Sequence, residues 1–511
     1  MKIQQYIKAS VVVLFILTQS VFAQVNTKSL DKYFSQALDD WEVPGMAVAV
    51  VKDGEIIFAK GYGVLEVNKK KKVDEHSNFA IASNTKAFIS ASLAHLVWEG
   101  KISWDDKVVK YLPYFALYDA YATQNATIRD LLSHRLGLGT YSGDVIWYKS
   151  EYSAEEVIKH IKYVPQAYDF RAGYGYSNLM FITAGEVIKS VTGMAWDEFI
   201  QKHFLNQLKM DRTVMSVNDL PKMDNIASPH KTINEKITPI PWTNWDNMGA
   251  AGGIISNVND MSKWMIMQMN NGLNGTDTLF SPIVQVDMWT PHNNYKVSLA
   301  SQKNMPSKHF NGYGLGWGLS DYQGRKMVNH GGGYDGMYSK LTMIPEEHLG
   351  VVVLTNAMTG IATSITMKAI DEILDSGDRD WSKEALPGAK RYADYKKKRI
   401  AKKVEARVEG TSPSSPLESF VGEYYDEFYG QVNVALEEDH LVIDFVPAPK
   451  LKADLSHWHN NTFKLEWKEI HAWFGFGTLQ FMYDNNNEVT GIEFDVPNYD
   501  IFFEEIHLKK M

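Results

Sequence analysis

The chain has 511 residues, of which 45% are hydrophobic and 22% charged, with a formal net charge of -9 and no cysteine. That length exceeds one ordinary core and implies two or three domains at about 150 residues each, while the apolar content excludes wholesale disorder. The acidic balance offers no field for nucleic acid, and the absence of cysteine excludes disulfides, thiolate metal sites and a lipid-bearing cysteine.

Lys2 and Lys8 precede an apolar run over residues 11–17, and Val21-Phe22-Ala23 follows before Gln24. This order predicts a cleavable secretory signal over residues 1–23 and an exported protein, periplasmic or secreted. The run is well short of the roughly 20 residues that cross a bilayer, so no stable membrane span is expected after cleavage.

Residues 29–41 have the spacing of an amphipathic helix, ended by Pro44-Gly45. The apolar runs 46–51 and 56–59 flank Asp53-Gly54, which predicts a hairpin. Lys69 to Lys72 reads as a solvated loop. A helical pattern runs from Ser83 to a stop at Gly100, and further helices are predicted over 127–133, 154–161, 178–191 and 260–269. Strand character returns at 327–329, 338–344 and 351–354. Strands at both ends with helices between predict one α/β (α+β) domain over residues 24–381, with a mostly antiparallel sheet joining its termini and a helical subdomain.

Lys396 to Arg399, Lys402, Lys403 and Arg407 form a basic helical stretch, and the EGTSPSSP sequence at 409–416 is a polar linker. Residues 382–416 are therefore read as a connector. Beyond it, short alternating runs at 430–436, 441–446, 463–467, 478–483 and 489–494 predict a small β-barrel or sandwich over 417–511.

Three segments carry candidate chemistry. In Ser83-Asn84-Thr85-Lys86, helical spacing puts hydroxyl and amine on one face about 5–6 Å apart at Cβ, and the helix N-terminus adds N–H groups near Ser83. Ser83 also suits a plain helix N-cap. Tyr176-Ser177-Asn178 opens a second helix; a phenol beside a cation can ionise below its free pKa of about 10, which would suit Tyr176 as a base. Asn178 offers a donor and an acceptor for Lys86 and a substrate amide. His330-Gly331-Gly332-Gly333 follows a strand, and its glycines admit a substrate against the backbone.

Ser-x-x-Lys, a polar triplet and a late His-Gly-Gly resemble, in order, the signature of serine β-lactamases and penicillin-binding proteins. Tyr-Ser-Asn as the triplet resembles the branch with class C β-lactamases, D-aminopeptidases and related esterases. The segments Thr127-Ile128-Arg129-Asp130-Leu131-Leu132-Ser133-His134, Ala251-Gly252-Gly253-Ile254-Ile255-Ser256 and 350–356 are similar to that branch too. The resemblance implies a β-lactamase/transpeptidase-like fold in which Ser83 forms an acyl-enzyme and Lys86 and Tyr176 handle protons. Asn178, His330 and Gly332 would bind substrate, and the N–H groups of Ser83 and Gly333 would form the oxyanion hole. His330 stands where many relatives have Lys, and a histidine is charged only below about pH 6.5 unless perturbed.

The implied activity is that of a serine hydrolase on a small peptide, amide or ester, a D-amino-acid peptidase or esterase, with no metal or organic cofactor. The alternatives are a β-lactamase, or a non-catalytic binding or assembly protein that keeps the fold. The C-terminal domain resembles appended lipocalin-like barrels that shape the cleft or support a homo-oligomer. Two features stay outside the signature: His457 and His459 as a weak metal pair, and Tyr424, Tyr425, Phe428 and Tyr429 as a barrel mouth or barrel core.

Overall fold

The computed structural model describes residues 27–511, so the expected signal at 1–23 lies outside the described residues. Helix α1 (Thr27–Asp40) buries Leu30, Phe34, Ala37 and Leu38, the apolar stripe of its sequence. The hairpin of β1 (Gly45–Lys52) and β2 (Glu55–Gly63) turns at Asp53 and Gly54, with φ of 52° and 82°. Both residues are in the left-handed region that a two-residue hairpin loop requires.

Helix α2 (Thr85–Trp98) is buried on all sides, as its apolar sequence requires, and α3 (Asn178–Thr192) packs beside it. Helix α4 (Val258–Met269) lies across the sheet. The sheet is completed by β3 (Asn293–Tyr295), β4 (Asn311–Tyr313), β5 (Gly318–Tyr322), β6 (Arg325–Tyr334), β7 (Met337–Ile344) and β8 (Leu349–Thr355). Its order is β2-β1-β8-β7-β6-β5-β4-β3, antiparallel throughout, and β1 beside β8 joins the two ends of the domain. Ala47, Ala49 and Val51 face the core shared with α4, while Met46, Val48 and Val50 face α1 and α5 (Ile361–Leu374). A strand covered on both faces reads as a continuous apolar run, which is how β1 and β8 look in the sequence.

Helix α6 (Trp381–Glu405) buries only Trp381 and Ser382 and leads to an eight-stranded closed barrel. Its strands are β9 (Gly422–Asp426), β10 (Gly430–Glu437), β11 (His440–Phe445), β12 (Lys452–His459), β13 (Thr462–Trp467), β14 (Thr478–Tyr483), β15 (Val489–Asp495) and β16 (Leu508–Lys510). The interior is filled by two groups of rings, Phe420, Phe463 and Phe481 in mutual contact, with Phe420 to Phe481 at 4.3 Å between centroids, and Phe445 against Phe503 at 5.9 Å. Tyr424, Phe428 and Tyr429 are buried and belong to the packed core, whereas Tyr425 is exposed. The barrel docks on the first domain through Trp473 Nε1 to Asp335 Oδ1 at 2.6 Å, Tyr152 OH to the Tyr429 carbonyl at 3.0 Å and Lys231 Nζ to the Phe474 carbonyl at 2.8 Å.

Candidate active site

Ser83 sits in a 3-10 turn (Ala82–Asn84) directly before α2, one step earlier than the helical pattern predicts. Ala82 has φ of 47°, a left-handed conformation that costs an alanine roughly 1–2 kcal/mol. The fold holds it there: Ser339 Oγ donates to the Ile81 carbonyl at 2.6 Å and Asn84 Nδ2 donates to Ser339 Oγ at 2.7 Å. Gly332 on β6 presses on the same turn. A Cβ at position 332 would lie 2.2 Å from the Ile81 carbonyl oxygen and 2.9 Å from the Ser83 nitrogen. Gly332 is thus glycine because two backbones meet, and its contacts are with the nucleophile's turn.

Lys86 Nζ donates to Ser83 Oγ at 3.1 Å, to Asn178 Oδ1 at 2.7 Å and to the Ala251 carbonyl at 2.7 Å. Ser83 is partly exposed and Lys86 fully buried. Burial disfavours the ammonium and lowers its pKa to about 7, with Asp144 pulling in the opposite direction. Near neutral pH the free amine is therefore accessible and can take the Ser83 proton.

Asn178 has both halves of its amide engaged: its Nδ2 donates to Asp144 Oδ2 at 2.6 Å while its oxygen receives Lys86. It holds Lys86, as the sequence reading expects of its donor and acceptor. Asp144 was not singled out in the sequence. It is fully buried, and burial raises its pKa to about 8 against the opposing pull of Trp147, Asn178 and Lys86. No motif marks it; the only local signal is Ser142-Gly143 before an acidic residue, which reads as a turn.

Tyr176 lies over the same amine, with Lys86 Nζ 4.9 Å from its ring centroid, and Ser83 interacts with its phenol. Burial, then Tyr141, push its pKa well above 10, and the Ser83 contact offsets only part of this. The phenol stays neutral, which corrects the expectation of a base ionised by a neighbouring cation; the neighbour is itself an amine with a depressed pKa. The His134 ring lies 4.4 Å from that of Tyr176, and His134 Nδ1 accepts from the Ser177 N–H at 3.1 Å. Burial and then Lys86 keep His134 neutral. Asp130, in the same recurring segment, binds Arg135 at 2.6 Å and Arg171 at 2.7 Å, tying down the loop that delivers Tyr176.

His330 borders the site, its ring 6.1 Å from that of Tyr176. Its Nδ1 donates to the Gly331 carbonyl at 2.6 Å, so Nε2 accepts from Tyr313 OH at 2.8 Å. Burial and then Lys86 lower its pKa to about 3. His330 is therefore neutral at every ordinary pH, unlike the free histidine that the sequence alone suggests. Because β5 ends at Gly318 opposite Asn329, β6 from His330 onward pairs only with β7. Gly333 lies on this stretch beside Trp473 of the barrel, 3.4 Å from where its Cβ would stand. The first N–H groups of a helical turn lack internal partners, so the Ser83 N–H is available beside this strand.

His457 and His459 are used locally: Nε2 of His457 donates to the Asn460 carbonyl at 2.9 Å and Nδ1 of His459 accepts from the Val408 N–H at 3.2 Å. Among the described residues no group of three or more His, Cys, Asp or Glu is arranged to hold a metal.

A beta-lactamase family model matches residues 30–371, and a domain of unknown function, DUF3471, matches residues 406–510. The unguisins hydrolase ungD' of Aspergillus campestris is 29% identical over 432 residues, covering 79% of this chain and 77% of that protein. Protein flp of Staphylococcus aureus (strain MW2) is 27% identical over 343 residues, covering 64% of this chain and 63% of its own length. The octameric penicillin-binding protein homologue from Pyrococcus abyssi superposes with a TM-score of 0.62 at 21% identity, covering 95% of this chain and all of that one. Because the family model matches residues 30–371, well over half of the chain, the chain belongs to the beta-lactamase family.

Proposed function

We propose that the chain hydrolyses a small amide or ester through an acyl-enzyme on Ser83. The observation that carries this reading is the 3.1 Å contact between Ser83 Oγ and the buried Lys86 Nζ. Oγ attacks the substrate carbonyl as Lys86 takes its proton, and the developing oxyanion faces the N–H groups of Ser83 and Gly333. When the C–N or C–O bond breaks, Tyr176, a neutral phenol, gives its proton to the leaving group and regains one from the Lys86 ammonium. Water then attacks the acyl carbon with the same groups acting in reverse, which restores Ser83.

Neutral His330 favours a peptidase or esterase over a β-lactamase, because a substrate carboxylate would meet no fixed cation at that position. A D-amino-acid peptide or a simple ester is the proposed substrate class, and the relative named as a hydrolase supports a hydrolytic reaction. We also propose export through the 1–23 leader, and self-association of the kind named for the Pyrococcus homologue. Assays on p-nitroanilides of D- and L-amino acids beside p-nitrophenyl esters test the reading. Turnover of one set that vanishes in Ser83→Ala is expected; rapid nitrocefin hydrolysis would install the β-lactamase reading instead, and no turnover with no adduct on Ser83 would favour a binding protein.

A further inference from the structure

The residues beneath Lys86 lead out of the first domain. Asp144 ends a turn in which Tyr141 has φ of 61° and Gly143 φ of 84°. A Cβ on Gly143 would lie 2.6 Å from Leu179 Cδ1 and 2.8 Å from Val164 Cγ2, so this backbone fits only as glycine and is strained at Tyr141. Within the domain the turn is held by the Tyr141 N–H to the Tyr176 carbonyl at 2.9 Å and the Ser142 N–H to the Gly139 carbonyl at 3.2 Å. The Asp144 N–H also donates to the Tyr141 carbonyl at 3.1 Å, and a further hold comes from the barrel. Glu505, in a 3-10 turn (Phe503–Glu505) before β16, accepts from Ser142 Oγ at 2.5 Å and from the Gly143 N–H at 2.7 Å.

We infer that the barrel completes the active site, with Glu505 as a positioning residue that grips the 141–144 turn and, through Asp144 and Asn178, fixes Lys86 against Ser83. The links run without a gap: Glu505 to Ser142 and Gly143, the next residue Asp144 to Asn178 at 2.6 Å, Asn178 to Lys86 at 2.7 Å, Lys86 to Ser83 at 3.1 Å. A carboxylate suits this place because it receives a hydroxyl and an amide at once, both charge-assisted. Loosening the turn would let Asp144 and Asn178 shift, and misplacing a catalytic group by about 1 Å costs on the order of 100-fold in rate. The other ionisable groups around Lys86 and Asp144 are Tyr141, Tyr176, His134, His330 and Asp500, of which both histidines are held neutral.

This inference rests on the acyl-enzyme reading, and the experiment separates the two. In the full chain, fluorophosphonate labelling of Ser83 in the unmutated protein decides the acyl-enzyme reading by itself. Given that label, aryl-ester kinetics are compared for Glu505→Ala, Glu505→Gln, Ser142→Ala, Asp144→Asn, the Glu505→Ala/Asp144→Asn double variant and Tyr152→Phe, which breaks a docking bond away from the turn. Glu505→Ala is expected to lower kcat roughly 10- to 100-fold with little change in KM and to move the acidic limb of the pH profile. Ser142→Ala should give a smaller loss in the same direction, Glu505→Gln should recover most of the activity, and Tyr152→Phe should stay within about twofold of the unmutated protein. The double variant should lose no more than the worse single one. A folded Glu505→Ala protein with unchanged kcat and pH profile overturns the inference, as do losses that multiply in the double variant. If Glu505→Ala does not fold, Ser142→Ala decides: an unchanged profile overturns the inference and a shifted one supports it.

Discussion

Lys86 and Asp144 are both fully buried and have no direct hydrogen bond; Asn178 stands between them, its oxygen 2.7 Å from the amine and its nitrogen 2.6 Å from the carboxylate. The arrangement allows one proton to be distributed over two groups whose pKa values burial has brought together, Lys86 down to about 7 and Asp144 up to about 8. A lysine ordinarily charged to beyond pH 10 thereby becomes a base at neutral pH.

The pH dependence follows with a definite sign. kcat/KM should fall as pH drops through about 7, where Lys86 becomes protonated. Asp144 raises the Lys86 pKa, so Asp144→Asn, which keeps an acceptor for Asn178, should move this limb to lower pH. A pH–rate profile of both proteins on one ester substrate checks this, and a limb that stays in place or moves to higher pH would contradict it.

His330 should not titrate over the working range. With its pKa lowered to about 3, its ring resonances should remain those of the neutral Nδ1–H form down to about pH 4 in an NMR titration. Protonation at pH 5 to 6 would contradict its burial against Tyr313.

Gly332→Ala should abolish acylation and lower the melting temperature, because the new Cβ would meet the Ile81 carbonyl at 2.2 Å, a backbone atom that cannot rotate away. Gly475→Ala, whose Cβ would meet nothing within 4 Å, should be nearly neutral. Thermal melts of both variants, with labelling of Ser83, make the comparison.

Asp130→Ala should destabilise the first domain by about 1.5–3 kcal/mol, since it removes a buried carboxylate that accepts from Arg135 and Arg171, whose guanidinium groups remain within reach of water. Burial would raise the Asp130 pKa, but Arg171, Thr127 and Arg135 hold it below 3.8. The stabilisation should therefore be complete above about pH 4 and be lost as pH falls through the folded-state pKa. Urea melts at pH 7 and below pH 4 test both statements.

That the segments of Ser83, Lys86, Tyr176 and His330 meet is anticipated from their resemblance, in order, to the signature of serine β-lactamases and penicillin-binding proteins, while the helices and strands that carry them show in the apolar period. The hairpin at Asp53-Gly54 and strands β1 and β8 were legible for the same reason. Strands β3 to β5 were not: Asn293–Tyr295 and Asn311–Tyr313 are three residues each and polar, too short for a period. β12 alternates, but Lys452, Asp454, Ser456 and His457 hide its buried Ala453, Leu455 and Trp458. Ionisation states were illegible because they depend on burial: Tyr176 is a protonated phenol and His330 a neutral imidazole for reasons that only the packed site supplies. Asp144 and Glu505 carry no motif, and their roles follow from a turn in one domain meeting a turn in the other.

The most direct measurement is the rate at which a fluorophosphonate modifies the protein as a function of pH, with the adduct located by mass spectrometry. The account predicts a single adduct on Ser83 whose formation rate rises through about pH 7 and is lost in Ser83→Ala and nearly lost in Lys86→Met. An adduct elsewhere, or a Ser83 rate that Lys86→Met leaves unchanged, would contradict the claim that a buried amine activates this serine.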